Sequence, residues 1–218
     1  MLAVTAWMWV PSAQAAGVYD IPPLSAAEPT WIVDTADIIS RVNENRLNRS
    51  LAELAEQTGN EVRFVTIRRL DYGETVDSFA QSVFDKWFPT PEAGANQTVV
   101  VLDNLTNNTA IVTGSASADR LSPAIVESVA QETMQAPLRG GNKYNQSLLD
   151  ASDRLVAVLS GDPDPGPPEV VSAIQVEGTF TAAEDTDQGN ATVLVIGFLV
   201  AATVIPMATY FAYMLLQP

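Results

Sequence analysis

The chain is 218 residues long, enough for one domain of ordinary size with appendages, and 11 Lys plus Arg against 26 Asp plus Glu give a formal charge of −15. A field of that sign opposes a phosphate backbone, so nucleic acid is a poor partner. Cys and His are both absent, which removes thiol and Ser/His nucleophiles, Zn and Fe–S centres and disulfides, and leaves carboxylate chemistry and hard cations.

Taken in chain order, Leu2–Val10 is apolar and is followed by Pro11 and small residues, with Ala13 and Ala15 at the −3 and −1 positions of a cut after Ala15. Residues 1–15 therefore read as a secretory signal peptide, although the first base is Arg41 and the usual basic start is missing. Residues 16–30 are an N-terminal extension. Trp31-Ile32-Val33 reads as a first strand. Leu47, Leu51, Leu54 and Ala55 recur at helical spacing and stop at Gly59, which predicts a helix from about Ser40.

Val62 to Ile67 reads as a strand, and Val76, Phe79, Ala80, Val83 and Trp87 then share one helical face. Thr98–Leu102 is apolar on both faces, as a central strand is. The turn Asn104–Asn108 makes Thr109–Thr113 its hairpin partner. Ser122-Pro123 opens a third helix through Ile125, Val126 and Val129, and Leu148 to Leu159 forms a fourth, closed at Gly161. The order β-α-β-α-β-β-α-α over residues 31–160 predicts an α/β domain, a mixed sheet with helices on both faces.

The remainder changes character. Residues 161–190 contain Pro163, Pro165, Pro167 and Pro168, several Asp and Glu, and no base, which reads as an acidic tether. Within it, Val170–Val176 and Thr179–Thr181 have strand composition, but disorder is the expected state. Residues 191–216 carry no charge and are long enough to cross a ~30 Å hydrocarbon layer, with Pro206 as a kink and Tyr210 and Tyr213 suited to an interface. The expected topology is an exported domain on a single C-terminal span.

Candidate chemistry lies where strands end. Sites in open α/β sheets form outside the carboxyl ends of strands, which selects Asp34, Asp37, Asp71 and Asp103. The competing reading makes each a cap on local N–H groups. Val101-Leu102-Asp103-Asn104-Leu105-Thr106 has the outline of a D-x-D-x-T phosphatase motif, but Leu105 replaces the second acid. Neither G-x-x-x-x-G-K-[ST] nor G-x-G-x-x-G occurs.

Several segments together resemble a known family. They are Val33-Asp34-Thr35-Ala36, Phe64-Val65-Thr66-Ile67-Arg68, Asp85-Lys86-Trp87-Phe88-Pro89, Gly94-Ala95-Asn96-Gln97, Lys143-Tyr144-Asn145, Arg154-Leu155-Val156-Ala157, Pro163-Asp164-Pro165-Gly166 and the run Ile205–Tyr213. The chain is similar along 31–216 to the TPM-domain family, in the thylakoid-lumen branch associated with photosystem II. The resemblance implies a Rossmann-like lumenal domain on the thylakoid membrane, with photosystem II subunits or assembly intermediates as partners in assembly, photoprotection and repair. It also implies an alternative, an acid phosphatase using carboxylates and a divalent cation. The family's usual D-D-A is here Asp34-Thr35-Ala36, which weakens the catalytic reading, so a non-catalytic role leads. Any metal is expected to be Ca²⁺ or Mg²⁺, on Asp34, Asp37, Asn96 and Asp103, with Kd on the order of 10⁻⁴ to 10⁻³ M. No cofactor is required.

Overall fold

The structure is a computed structural model that describes residues 17–168 and 188–216. The leader expected at 1–15 and the segment 170–181 lie outside the described residues. Two units emerge, a domain and a C-terminal helix. The domain's strands are β1 (Ile32–Asp34), β2 (Glu61–Ile67), β3 (Gln97–Asp103) and β4 (Thr109–Thr113). Its helices are α1 (Arg41–Thr58), α2 (Val76–Trp87), the short α3 (Pro91–Gly94) and α4 (Ser115–Ala118), α5 (Pro123–Ser128), α6 (Gln135–Arg139) and α7 (Tyr144–Ser160). Helix α8 (Gln188–Leu216) is the second unit.

The strands pair in the order β1-β2-β3-β4, parallel except for β4, which returns antiparallel to β3 through the expected hairpin. Period-2 alternation sorts the core. Val62, Phe64, Val100 and Leu102 face Leu47, Leu51 and Leu54 of α1 and the buried side of α7. Val65, Ile67, Val99 and Val101 face Phe79, Ala80 and Val83 of α2. This is the anticipated mixed α/β sheet. One detail departs from a doubly wound fold: β1-α1-β2 and β2-α2-β3 step in the same direction across the sheet yet lie on opposite faces, so the two crossovers are of opposite hand.

Local chemistry sets the boundaries. Ser40 Oγ accepts from Asn43 N–H at the start of α1, and Gly59 ends it at φ 72°. Gly161, at φ 97°, ends α7. The third helix predicted from Ser122 is broken instead. After Ser128 the chain widens into a π-helical turn, Val129–Thr133, in which Met134 N–H reaches Val129 O, before α6 resumes.

The domain is larger at both ends than the sequence spacing indicates. Residues 17–30, expected as an extension, are fastened to the sheet. Arg63, fully buried in β2, donates to Ser25 O and Glu28 O at 3.1 Å each, to Glu61 Oε2 at 2.7 Å and to Gln97 Oε1. Its guanidinium lies 5.5 Å from the Trp31 ring centroid and 5.4 Å from that of Phe88. Lys86 Nζ donates to Val18 O and Ile21 O, and Trp87 Nε1 to Pro22 O.

The first residues of the acidic segment are fastened too. Buried Arg154 makes a bidentate pair with Asp164, both contacts 2.7 Å, and donates to Ser128 Oγ and Thr133 Oγ1 across the π-helical turn. The Arg154 guanidinium holds the Asp164 carboxyl below the usual carboxylate value, outweighing burial, which pushes the other way. Pro165, Gly166, Pro167 and Pro168 share a groove with Asp150 and Asp153, so the chain turns back along α7 after Gly161. Helix α8 is uninterrupted through Pro206, and its stretch Val193–Leu216, of mean hydropathy 2.2, is long and apolar enough to cross a membrane.

Candidate functional site

The carboxyl ends of β1, β2 and β3 open into three loops, and the first and third of these are bonded to the last residues of β2 and to the start of α7. Thr35 N–H and Oγ1–H both donate to Thr66 O, at 3.0 and 2.6 Å. Asn104 N–H donates to Ile67 O at 2.8 Å, and Tyr144 O–H to Asn104 O. Asn145 is a second bracket. Its Oδ1 accepts from Ser40 N–H and Asn43 Nδ2, both 2.9 Å, and its Nδ2 donates to Ile38 O. The start of α7 thus clamps the start of α1, and Asn107 Nδ2–H···Oδ1 Asn142 ties in the β3–β4 turn.

Within this frame each strand-end acid has a structural task. Asp34 accepts from Ile38 N–H at 3.1 Å, from Ile39 N–H at 2.9 Å and from the Thr66 hydroxyl. It thereby folds the turn in which Asp37 adopts φ 56°. Asp103, buried, accepts from Leu105 N–H at 2.9 Å and Thr106 Oγ1–H at 2.7 Å, closing the β3–β4 turn. Both acids behave as the capping reading expects.

The four residues proposed as metal ligands do not form one set. Asp34 aligns with Thr66 and Leu102, whereas Asn96 precedes β3 and its carbonyl accepts from Glu61 N–H at the other end of the sheet, about 20 Å away by strand rise. Asn96 was a candidate through the family resemblance, and in the fold it serves strand entry. Asp103 shares the end with Asp34, but β2 lies between them, about 10 Å across the sheet. Alternation turns Asp103 to the α2 face and Asp34 to the α1 face. Asp37 is exposed. Among the described residues no three acids converge on a point that could hold a metal ion. The geometry therefore does not fit a shared cation on these residues.

What does open at this end is a cleft of about 560 Å³ between the β2–α2 loop and the β3–β4 turn. Arg69, Asp71, Glu74, Asp103, Thr106 and Gln131 are among its walls. Asp71 also lies against Gly17, where a Cβ would come 2.9 Å from its Oδ2, so the N-terminal segment buttresses this loop. Sequence reasoning placed Asp71 and Asp103 here. It missed Gln131, which the π-helical turn carries, because nothing in the local pattern marks that turn.

Comparison with known proteins agrees with this architecture. The TPM domain matches residues 32–158. A chloroplastic UPF0603 protein of Arabidopsis thaliana is 35% identical over 196 residues, 89% of this chain and 67% of that protein. One from Oryza sativa subsp. indica is 33% identical over 200 residues, 91% of this chain and 66% of its own length. The chain thus spans about two thirds of these relatives. The solution structure of the N-terminal domain of a P. gingivalis protein superposes with a TM-score of 0.62 at 21% identity, covering 68% of this chain and 94% of that one, a likeness of fold. With family and fold in agreement, the chain belongs to the TPM-domain family and is related along most of its length to the chloroplastic UPF0603 proteins of plants.

Proposed function

We propose that this protein is a membrane-anchored accessory factor of photosystem II, its domain on the lumenal side, acting in assembly, photoprotection and repair by binding rather than by turnover. The observation that carries the binding reading is the employment of Asp34 and Asp103. Both carboxylates are engaged by loop N–H and hydroxyl donors and face opposite sides of the sheet. A nucleophile or general base must be within reach of substrate with a partner group beside it, and these two acids share no such point. Kinship with chloroplastic proteins and an apolar helix able to cross a membrane support the placement.

The test is co-purification. Full-length chain carrying an affinity tag, isolated from gently solubilised thylakoids, is expected to bring photosystem II subunits or assembly intermediates with it. Recovery without them, under conditions in which a known lumenal subunit is retained, overturns the proposal.

One observation favours the rival reading of an acid phosphatase. The cleft that Asp71 and Asp103 line is also lined by Arg69, which has the charge to hold a phosphoryl group. Turnover of a small phosphomonoester by the full-length chain, with or without Ca²⁺ or Mg²⁺, that falls at least about tenfold in both Asp71→Asn and Arg69→Gln would establish it.

A further inference from the structure

The sheet has two outer strands, and they are finished differently. Strand β1 is three residues long and ends on Asp34, two features that discourage further pairing. Strand β4 has no such protection: it carries no charge, no proline and no bulge, and every residue but Ala110 is β-branched. Its ladder to β3 is fixed at both ends, by Asp103 N–H to Asn108 O at 2.9 Å and Gly114 N–H to Gln97 O at 2.8 Å. Antiparallel alternation then turns the backbone groups of Ala110 and Val112 toward β3 and those of Ile111 and Thr113 outward. The N–H and C=O of Ile111 and Thr113 have no hydrogen-bond partner among the described residues, and both residues are only half-buried. At Thr109 the strand is covered, its side chain buried and its hydroxyl bonded to Ala130 O at 2.8 Å. The open edge is therefore the stretch 111–113.

That stretch runs into a pocket. Thr113 is one wall of a cavity of about 370 Å³ whose other walls include Phe84 and Phe88 of α2, Pro89 and Pro91. The pocket is held in shape. Phe84 and Phe88 meet edge to face with ring centroids 5.2 Å apart, Thr90 Oγ1 accepts from Ala93 N–H at the start of α3, and a Cβ at Gly114 would collide with Gly94 O, so α3 is pressed against the end of β4. Helix α2 runs alongside β4 in the same direction, since its Asp77 shares the cleft with Thr109 and its Phe88 shares the pocket with Thr113. A strand added outside β4 would follow that flank and reach the pocket with a side chain on the α2 face. The rim is acidic. Asp85 lines the pocket, Glu92 follows Pro91, both are exposed, and no base is among the lining residues. Lys86 turns away to Val18 O and Ile21 O, and Arg120 lies against Gly161.

We propose that the outer edge of β4 receives an extended segment of a partner protein, which joins the sheet as a further strand, sets one large apolar side chain against Phe84 and Phe88, and places Lys or Arg beside Asp85 and Glu92. Main-chain donors and acceptors in alternation are met in full only by another extended backbone, and the adjoining pocket supplies the selectivity that those bonds lack. The acidic rim asks for bases in the segment. A second copy of this chain fits less well. Its β4 offers the edge neither a base nor an aromatic side chain, and pairing would bring together two domains of the same negative sign. The inference rests on the reading of this protein as a binder and names the surface that binds; it does not depend on photosystem II.

The full-length chain in detergent micelles serves for the test. Amide exchange followed residue by residue is expected to be fast at Ile111 and Thr113 and slow at Ala110 and Val112. Phage-displayed random peptides panned on the same material should enrich β-branched sequences that carry one large apolar residue and a Lys or Arg. The strongest of them, made synthetically, should slow exchange at Ile111 and Thr113. It should lose about tenfold in affinity when its own backbone is N-methylated, in Thr113→Pro, which removes an outward N–H without costing a ladder bond, and in Asp85→Lys. Slow exchange at both outward positions in the free monomer, panning without enrichment, binding indifferent to N-methylation and to Thr113→Pro, or a dimer of the chain that Thr113→Pro dissolves each overturns the proposal. Peptide binding at β4 without co-purification of photosystem II would sink only the proposed function, and the reverse result would sink only this inference.

Discussion

The two ends of the sheet handle charge in opposite ways. At the amino end a single base, Arg63, is buried between two aromatic rings and gathers four acceptors, two of them on the N-terminal segment. At the carboxyl end Asp34 and Asp103 fold the loops from within, while the exposed Arg41, Arg68, Arg69, Arg139 and Lys143 make no ion pair among the described residues. A buried charge must be compensated by hydrogen bonds and partners, so it becomes a fastener. An exposed, unpaired charge keeps its capacity for another molecule. The contrast separates what holds this protein together from what it can offer.

The largest expected effect tests the amino end. Arg63→Ala should lower stability by about 3–5 kcal/mol, because it leaves Glu61 and two carbonyls without their donor inside the fold. In the full-length chain in detergent, denaturant melts read by Trp fluorescence check it, and Arg63→Met should recover part of the loss by filling the space between Trp31 and Phe88. A loss below about 1 kcal/mol would place the fastening of residues 17–30 with Lys86 and Trp87 instead.

A smaller effect is expected at the carboxyl end. Asp34→Ala should cost about 2 kcal/mol, through loss of hydrogen bonds to Ile38 N–H, Ile39 N–H and the Thr66 hydroxyl. Amide exchange localises it: protection should fall in residues 37–40 and leave the centre of β3 unchanged. Uniform loss across the sheet would mean that Asp34 supports the core rather than its loop.

The smallest effect concerns the acidic segment. The carboxyl of Asp164 titrates below its ordinary value in the fold, so its contribution is present above the unfolded value of 3.8 and is lost as pH falls through the lowered folded value. Asp164→Asn should therefore cost about 1 kcal/mol at neutral pH and nothing once the acid is protonated. Melts from pH 7 to pH 2 decide it. A deficit that persists at the acid end would assign the loss to packing instead.

Much of this was readable beforehand. The parallel strands, the hairpin and the glycine stops at 59 and 161 follow from periodicity and turn chemistry, which are local. Asp34 and Asp103 were found as strand-end acids, and the capping alternative was visible in the polar residues beside them. Asn96 misled because distance along a strand is invisible until register is known. Arg63 escaped notice because a base inside a strand ordinarily faces water, and only the aromatic partners at 31 and 88, far away in sequence, make its burial tolerable. Arg154 was more accessible: Ser147, Ala151, Arg154 and Val158 recur at helical spacing, so a charge stood on a row that faces inward.

The turn-back after α7 has a mechanical consequence. Because Asp164 is gripped by Arg154 from both oxygens, tension applied from the C-terminal side meets that ion pair before it can reach the last turn of α7. The two parallel contacts and the hydroxyls of Ser128 and Thr133 behind them share the load, and the hydrogen bonds at Gly161 and Asp162 are shielded from being peeled one at a time. A domain tugged by its own leash would thus first let out a short length of slack at the Arg154 hitch, with its core helix still wound.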